Sequence, residues 1–189
     1  MTREYVVPGR VELVGKHVDY AGGRSLTCAI EASIRARVTP LEEPVLLVRN
    51  TARRDGLAVA LSPAATGHGP SWSTYAVAVA RRFARDFPNA RTGVQIELTS
   101  DLPASAGLSS SAALVVAFAT ALVDANELDA RDEWRAAVPD AVARAEYFAA
   151  METGAPFGPF AGDAGVEFVG VHQRGRERHD ECRRAAEAR

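Results

Sequence analysis

The sequence predicts a fold that combines β-strands with α-helices, and three observations support this mixed class. Apolar and polar residues alternate with a period of two in short stretches before residue 61 and again at 94–98, as they do in half-buried strands. From Trp72 to Phe87, apolar residues recur at spacings of three and four, which is the pattern of one face of a helix. A loop of small residues then joins strand 94–98 to a second helix, expected at 109–126.

The composition is that of a globular domain without an electrostatic preference for nucleic acid. The 189 residues carry a formal net charge of -2, and 47% of them are hydrophobic, which fits one soluble domain or one domain and a fraction. The apolar stretch from Ala112 to Val123 is too short to span a bilayer, and the N-terminal residues lack the pattern of a secretory signal. We therefore expect a cytoplasmic protein that binds neither nucleic acid nor membrane, although a small anionic ligand needs only a local site.

The N-terminal third is expected to form most of the strands. Tyr5–Val7 and Arg10–Val14 are predicted as two strands joined by a Pro8-Gly9 turn, with Arg10 and Glu12 on the same face. The next strands are predicted at Leu26–Ile30 and at Ile34–Val38, which ends at Pro40, followed by a hairpin of Val45–Val48 with Leu57–Leu61.

Helices dominate the second half of the predicted domain, which we place at residues 1–165. Pro88 ends the first helix, and a third helix is expected from Asp140 to Met151, with Pro139 at its start, where proline is tolerated. Residues 166–189 form a tail rich in arginine and glutamate. Because this tail has few apolar side chains to bury, we expect it to be poorly ordered.

The strongest functional signal is the small-residue loop from Asp101 to Leu114, which lies between a predicted strand and a predicted helix. The first turn of a helix leaves N–H groups unpaired, so small residues at such a position create a site for an anion. The hydroxyls of Ser109, Ser110 and Ser111 can add donors to phosphate oxygens or a ligand to Mg²⁺. The alternative is that a serine simply caps the helix.

This loop resembles a known phosphate-binding motif. The loop lacks the lysine that a Walker A loop carries. Its sequence, Pro103-x-x-x-Gly107-Leu-Ser-Ser-Ser-Ala-Ala-Leu114, instead resembles the ATP-phosphate motif of the GHMP kinases, the family of galactokinase, homoserine kinase and mevalonate kinase. The resemblance implies that the chain binds ATP with Mg²⁺. It assigns the phosphates to Gly107, Leu108, Ser109, Ser110, Ser111 and Ala112, and the metal to Ser111.

A second polar segment runs from Pro8 to Tyr20 and concentrates hydrogen-bonding side chains in one strand and the turn that follows it. The alternative is a solvated strand edge with a polar turn. The order of residues resembles the galactokinase signature Pro-Gly-Arg-Val-Asn-Leu-Ile-Gly-Glu-His-Thr-Asp-Tyr. The resemblance implies that Arg10 stabilises charge on the transferring phosphoryl group and that His17 and Asp19 hold sugar hydroxyls.

Two departures from the galactokinase pattern and one further match to it concern the substrate and the chemistry. Lys16 occupies a position where galactokinases carry a glutamate, which makes an anionic sugar such as a uronic acid an alternative substrate. Glu152 matches the family's magnesium-binding glutamate, with Glu146 as the alternative. The family's aspartate near the substrate hydroxyl has no counterpart in Gly165–Gln173; His172 and Asp163 are weaker candidates for its role.

The resemblance extends from about Arg3 to Gly165 and implies an α+β fold, the GHMP kinase N-terminal domain, in which a mixed β-sheet is covered by helices on one side. It implies a kinase that transfers the γ-phosphoryl group of ATP to a sugar hydroxyl, with ATP and a small sugar as partners. Without the family's C-terminal domain, the chain is expected to be weak or inactive alone. The alternative is an inactive regulatory protein that binds sugar or ATP, and the oligomeric state is not predicted.

Overall fold

A computed structural model describes residues 1–15, 24–103 and 107–162 of the chain. The tail predicted at 166–189, and the candidates Lys16, His17, Asp19, Asp163 and His172, lie outside the described residues. The strands are β1 (Arg3–Val14), β2 (Leu26–Leu41), β3 (Val45–Asn50), β4 (Asp55–Ala60) and β5 (Gly93–Ser100). The helices are α1 (Ser73–Asp86), α2 (Ser110–Ala125), α3 (Asp132–Ala137) and α4 (Ala141–Thr153).

The strands form one mixed sheet in the order β1-β2-β5-β3-β4. β3 and β5 pair in parallel, whereas the other neighbours pair antiparallel. The parallel pair follows from the chain path, because α1 lies between β4 and β5 in sequence and returns the chain to the same end of the sheet. The expected α+β class with a mixed sheet is therefore confirmed.

Helices cover one face of this sheet, and the alternation along the strands shows why. In β5, Val94, Ile96 and Leu98 are buried against the helices, whereas the alternate residues are partly exposed. β2 repeats the pattern, with Ala36 buried between the exposed Arg35 and Arg37. α2 packs on β1, β2 and β5, and α1 packs on β4. The period of two in the sequence thus separates an apolar face under the helices from an open polar face.

Two predicted strand breaks are absent, and both corrections involve proline. β1 is one strand without a turn at Pro8-Gly9, and its register with β2 shifts at Gly9, which faces residues 30–32 of β2. β2 is also one strand, and it continues through Pro40, which lies opposite Val94 of β5. Pairing with β1 reaches only as far as Val38, so Pro40 has a strand on one side only. A proline that lacks a strand partner on one side is compatible with a sheet edge.

The predicted hairpin and helices are present with small shifts at their ends. The third helix begins after Asp140, whose carboxylate accepts a hydrogen bond of 2.8 Å from the N–H of Ala143, so Pro139 precedes the cap rather than the first turn. A 3-10 turn at Leu128–Ala130 and helix α3 were not predicted. Their brevity leaves too few residues for a periodic pattern, although Trp134 of α3 is fully buried.

A buried charged network joins α1 to α4. The Nε atom of Arg82 lies 2.5 Å from Oδ2 of Asp86, and the exposed fractions of the two side chains are 0% and 2%. The hydroxyl of Tyr147 donates to the same Oδ2 atom at 3.0 Å. Burial and the neighbouring Asp86 carboxylate raise the pKa of Tyr147 well above its usual value, so the folded protein favours the neutral phenol.

No helix within the described residues has the length and apolar character needed to cross a membrane.

Candidate functional site

The predicted anion site lies where β5 ends and α2 begins. Helix α2 starts at Ser110, and Ser109 is its N-cap residue in a left-handed conformation with φ of 59°. The Ser109 side chain makes no capping hydrogen bond, and the first helical bond runs from the N–H of Ala113 to the carbonyl of Ser109 at 3.0 Å. The described residues thus give no side-chain hydrogen bond in support of the alternative in which a serine simply caps the helix. Among these described residues, the N–H groups of residues 110–112 have no backbone acceptor.

Gly107 and the small residues around it shape the entrance to this helix. Gly107 has φ of 71°, and a Cβ atom at that position would meet nothing within 4 Å. The glycine is thus required by the backbone conformation and not by a neighbouring atom. Ser110 is exposed, whereas Leu108, Ser109, Ser111 and Ala112 are partly buried.

Arg10 lies beside this helix start because β1 is hydrogen-bonded to the loop. The N–H of Arg10 donates to the carbonyl of Leu108 at 3.1 Å. The regular pairing of residues 10–12 with β2 places Arg10 and Glu12 on one face, as predicted. The Arg10 side chain is exposed and makes no ion pair with another described residue. The structure therefore brings the predicted catalytic arginine and the predicted phosphate loop together.

Gly9 permits this close approach of β1 to the loop. A Cβ atom on Gly9 would overlap Cδ2 of Leu102 and lie 3.2 Å from both Cδ1 of Ile30 and the carbonyl oxygen of Leu108. From the sequence, Gly9 was predicted only as a turn residue. It is buried where the register of β1 with β2 shifts, and its lack of a side chain allows the two loop residues to pack closely.

The start of the loop is held by Asp101, another residue to which the sequence analysis assigned no role. The N–H of Ser33 donates to Oδ1 of Asp101 at 2.5 Å, and the N–H of Asp101 donates to the carbonyl of Ser33 at 3.3 Å. No local pattern reveals this pair, because its members are 68 residues apart. The only sequence signal is an acidic residue directly before a loop predicted to bind an anion.

The structure does not join the candidate magnesium ligands to one another. Glu152 is partly buried in the last turn of α4, and Glu146 is exposed on the same helix. Within the described residues, no hydrogen bond or ion pair links either carboxylate to Ser111, and no group of three or more His, Cys, Asp and Glu residues is placed to hold a metal. The shared magnesium role of Ser111 and Glu152 stays a prediction.

Two sequence families match separate parts of the chain. Residues 74–157 match the family described as the GHMP kinases N terminal domain. Residues 3–40 match the galactokinase galactose-binding signature. The first match contains α1, β5, α2 and α4, and the second contains β1 and nearly all of β2, so the hydrogen bond between Arg10 and Leu108 connects the two.

Individual relatives agree with these matches. A galactokinase of Streptomyces coelicolor is 33% identical over 128 residues, which are 67% of this chain and 33% of the relative. A galactokinase of Chloroflexus aurantiacus is 35% identical over 117 residues, which are 61% of this chain and 30% of the relative. The chain therefore spans about a third of the length of these curated relatives.

Solved structures show the same fold. Lactococcus lactis galactokinase complexed with galactose aligns with a TM-score of 0.61 and 18% identity, over 87% of this chain and 40% of that chain. Methanococcus jannaschii mevalonate kinase aligns with a TM-score of 0.57 and 20% identity, over 81% of this chain and 46% of that chain. At these identities the likeness concerns the fold alone.

Proposed function

We propose that the chain is the ATP-binding part of a sugar kinase, because it matches the GHMP kinases N terminal domain and the galactokinase galactose-binding signature. The reaction is transfer of the γ-phosphoryl group of ATP to a sugar hydroxyl. The observation that carries the proposal is the 3.1 Å hydrogen bond from the N–H of Arg10 to the carbonyl of Leu108. It holds the strand of the sugar signature beside the open start of α2, as transfer between the two substrates requires.

The nucleotide is assigned to the start of α2. The N–H groups in the first turn of this helix, which the Ser109 side chain does not cap, bind phosphate oxygens, and the hydroxyls of Ser109 and Ser110 add donors. Mg²⁺ is assigned to Ser111 and Glu152. A bound Mg²⁺ would neutralise charge on the phosphates. Ser111 supplies one neutral oxygen and Glu152 a carboxylate, and both suit this hard cation.

The sugar is assigned to the segment that follows Arg10. The exposed guanidinium of Arg10 is suited to charge that develops on the transferring phosphoryl group, because it stays protonated and offers several donors. His17 and Asp19 are assigned to the sugar hydroxyls. We expect negligible turnover by the 189-residue chain alone, since Gly165–Gln173 lacks the aspartate of the family pattern and a missing general base costs about 10²–10⁴-fold in rate.

Substitution of Ser111 by alanine tests the nucleotide assignment. We expect the wild-type chain to bind Mg-ATP, and we expect Ser111→Ala to weaken Mg-ATP binding more than binding of ATP in EDTA, because only the metal complex uses the hydroxyl as a ligand. Isothermal titration calorimetry measures both affinities. Ser71→Ala, at an exposed serine before α1, is the matched control and should leave both unchanged.

Two outcomes would contradict the assignment. Equal weakening with and without the metal would remove Ser111 from the magnesium site. Absence of Mg-ATP binding by the wild-type chain would contradict the kinase proposal itself. An ADP-release assay on the same preparation separates turnover from the regulatory alternative, in which sugar or ATP binds without reaction.

Lys16 favours a second candidate substrate within the same reaction class. A desolvated ammonium that faces a neutral hydroxyl is poorly compensated, whereas a carboxylate gives it a charge-assisted hydrogen bond. An anionic sugar such as galacturonate is therefore the alternative to galactose. We expect Lys16→Glu to shift binding towards neutral hexoses.

Calorimetric titration of the wild-type chain and of Lys16→Glu with galactose and galacturonate measures this shift. Lys16→Gln serves as the control, because it removes the positive charge without adding a carboxylate. It should weaken galacturonate binding and leave galactose binding nearly unchanged. Identical ligand preferences in all three proteins would show that Lys16 does not select the substrate.

A further inference from the structure

At the end of the β2–β5 ladder, a side chain accepts one of the two hydrogen bonds of the last residue pair. Ile34 lies opposite Ser100, so the next antiparallel pair is Ser33 with Asp101. In a regular hydrogen-bonded pair of an antiparallel sheet, each residue donates its N–H to the other's carbonyl. Here the N–H of Asp101 donates to the carbonyl of Ser33 at 3.3 Å, but the N–H of Ser33 donates at 2.5 Å to the Oδ1 atom of Asp101. The carboxylate thus stands in for a main-chain carbonyl.

This exchange allows the main chain to leave the sheet directly after Asp101. The N–H of Leu102 donates to the Oγ atom of Ser100 at 3.2 Å, and the Leu102 side chain packs against Gly9 of β1. Ser33 is buried, so its N–H would lose a partner and incur a desolvation cost if the chain turned away without the carboxylate. Asp101 satisfies that donor while the backbone changes direction.

Leu108, at the other described end of the loop, is hydrogen-bonded to β1 directly beside Gly9. The carbonyl of Leu108 accepts from the N–H of Arg10 at 3.1 Å, and Gly9 lies between the contacts to Leu102 and to Leu108. The two attachments leave little freedom for the start of α2 relative to Arg10. A shift of the loop at Asp101 would be transmitted through Leu102 and Gly9 to this hydrogen bond.

We propose that Asp101 is a positioning residue for phosphate binding, whose carboxylate ends the β2–β5 ladder and thereby sets the start of α2 against Arg10. The inference rests on the proposed function of the α2 start as a phosphate site. The role requires an acceptor oxygen and not a negative charge. A negative charge close to a bound triphosphate would be unfavourable, so a neutral residue of the same shape should serve as well as the carboxylate.

Three variants test the role by calorimetric titration with Mg-ATP, at a temperature well below each variant's unfolding midpoint. Asp101→Ala, which leaves the N–H of Ser33 without an acceptor, should weaken Mg-ATP binding by about tenfold or more. Asp101→Asn keeps an acceptor oxygen and should bind within about threefold of wild type or more tightly. Asp140→Ala is the matched control. It removes a carboxylate that accepts a 2.8 Å bond from the N–H of Ala143 at the start of α4, so it should lower the unfolding midpoint and leave the Mg-ATP affinity unchanged.

Hydrogen exchange of the Arg10 amide supplies a readout that needs no ligand. Asp101→Ala should exchange this amide faster, because the bond to Leu108 is loosened, whereas Asp101→Asn and Asp140→Ala should not. Unchanged exchange of the Arg10 amide in Asp101→Ala would overturn the proposal. A Mg-ATP affinity of Asp101→Ala within twofold of wild type would overturn it as well. An asparagine variant as weak as the alanine variant would also overturn it, since the charge would then be the required feature. Failure of the wild-type chain to bind Mg-ATP, together with faster Arg10 exchange in Asp101→Ala, would contradict the phosphate site and leave the positioning of α2 by Asp101 supported.

Discussion

Replacing Asp86 by alanine is expected to lower the free energy of unfolding by about 3–5 kcal/mol, because it removes one partner of a buried ion pair with Arg82. The Arg82 side chain is fully buried, and its Nε atom lies 2.5 Å from the Asp86 carboxylate. The bond from Nη1 of Arg82 to the carbonyl of Ala155, at 2.7 Å, does not neutralise the charge. Tyr147 and Arg85 lose an acceptor in the same change. The penalty thus combines the loss of a buried ion pair with the loss of a shared hydrogen-bond acceptor.

Urea unfolding followed by circular dichroism measures this loss, and Asp132→Ala is the matched control. The Asp132 carboxylate is fully exposed and lies 3.7 Å from Arg135 on the same helix, so its removal should leave the unfolding midpoint unchanged within error. A loss below about 1 kcal/mol in Asp86→Ala would mean that water reaches Arg82 and replaces the carboxylate. The expected effect also bears on the site, because the bond to Ala155 holds the chain just after Glu152.

The parts of the fold that the sequence predicts well are those in which burial alone sets the pattern. In β5 the residues at positions 94, 96 and 98 are buried, and their alternation is visible in the sequence. Helix α1 likewise shows its buried face through Ala76, Val79 and Phe83. Both elements are long enough for a period to emerge, so a single strand or helix carries its own evidence.

Features that depend on a distant partner were not predictable in this way. A Pro-Gly pair is typical of a turn, and only the pairing of β1 with β2 on both sides of Gly9 shows that the strand continues through it. The bond between Asp101 and Ser33 likewise joins two segments that have no local relation. The position of the small-residue loop before a helix was predictable because its glycine, its serines and the helix are adjacent in sequence, whereas the contacts that orient the loop are not.

A methyl group at Gly93 is expected to destabilise the fold by about 3 kcal/mol or more, because the space it would need is occupied by main-chain atoms. Gly93 begins the central strand β5, opposite Leu41 of β2. A Cβ atom there would lie 2.6 Å from the amide nitrogen of Val45 and would overlap the carbonyl oxygens of Glu43 and Val45. The turn at residues 42–44 would have to move, and with it the start of β3 beside β5. Urea unfolding of Gly93→Ala measures the loss.

Gly69→Ala provides the control, because it adds the same methyl group where space exists. Its Cβ atom would make ordinary contacts of 3.5 Å with Cδ1 of Leu57 and with Cβ of Ser73, and Gly69 does not have a positive φ. Restricting the unfolded chain should then leave stability unchanged or raise it by about 0.4–1 kcal/mol. Equal effects of the two substitutions would show that the turn at 42–44 yields easily. A large loss at Gly93 alone would show that the main-chain contact between this turn and β5, the strand that leads to Asp101, contributes strongly to stability.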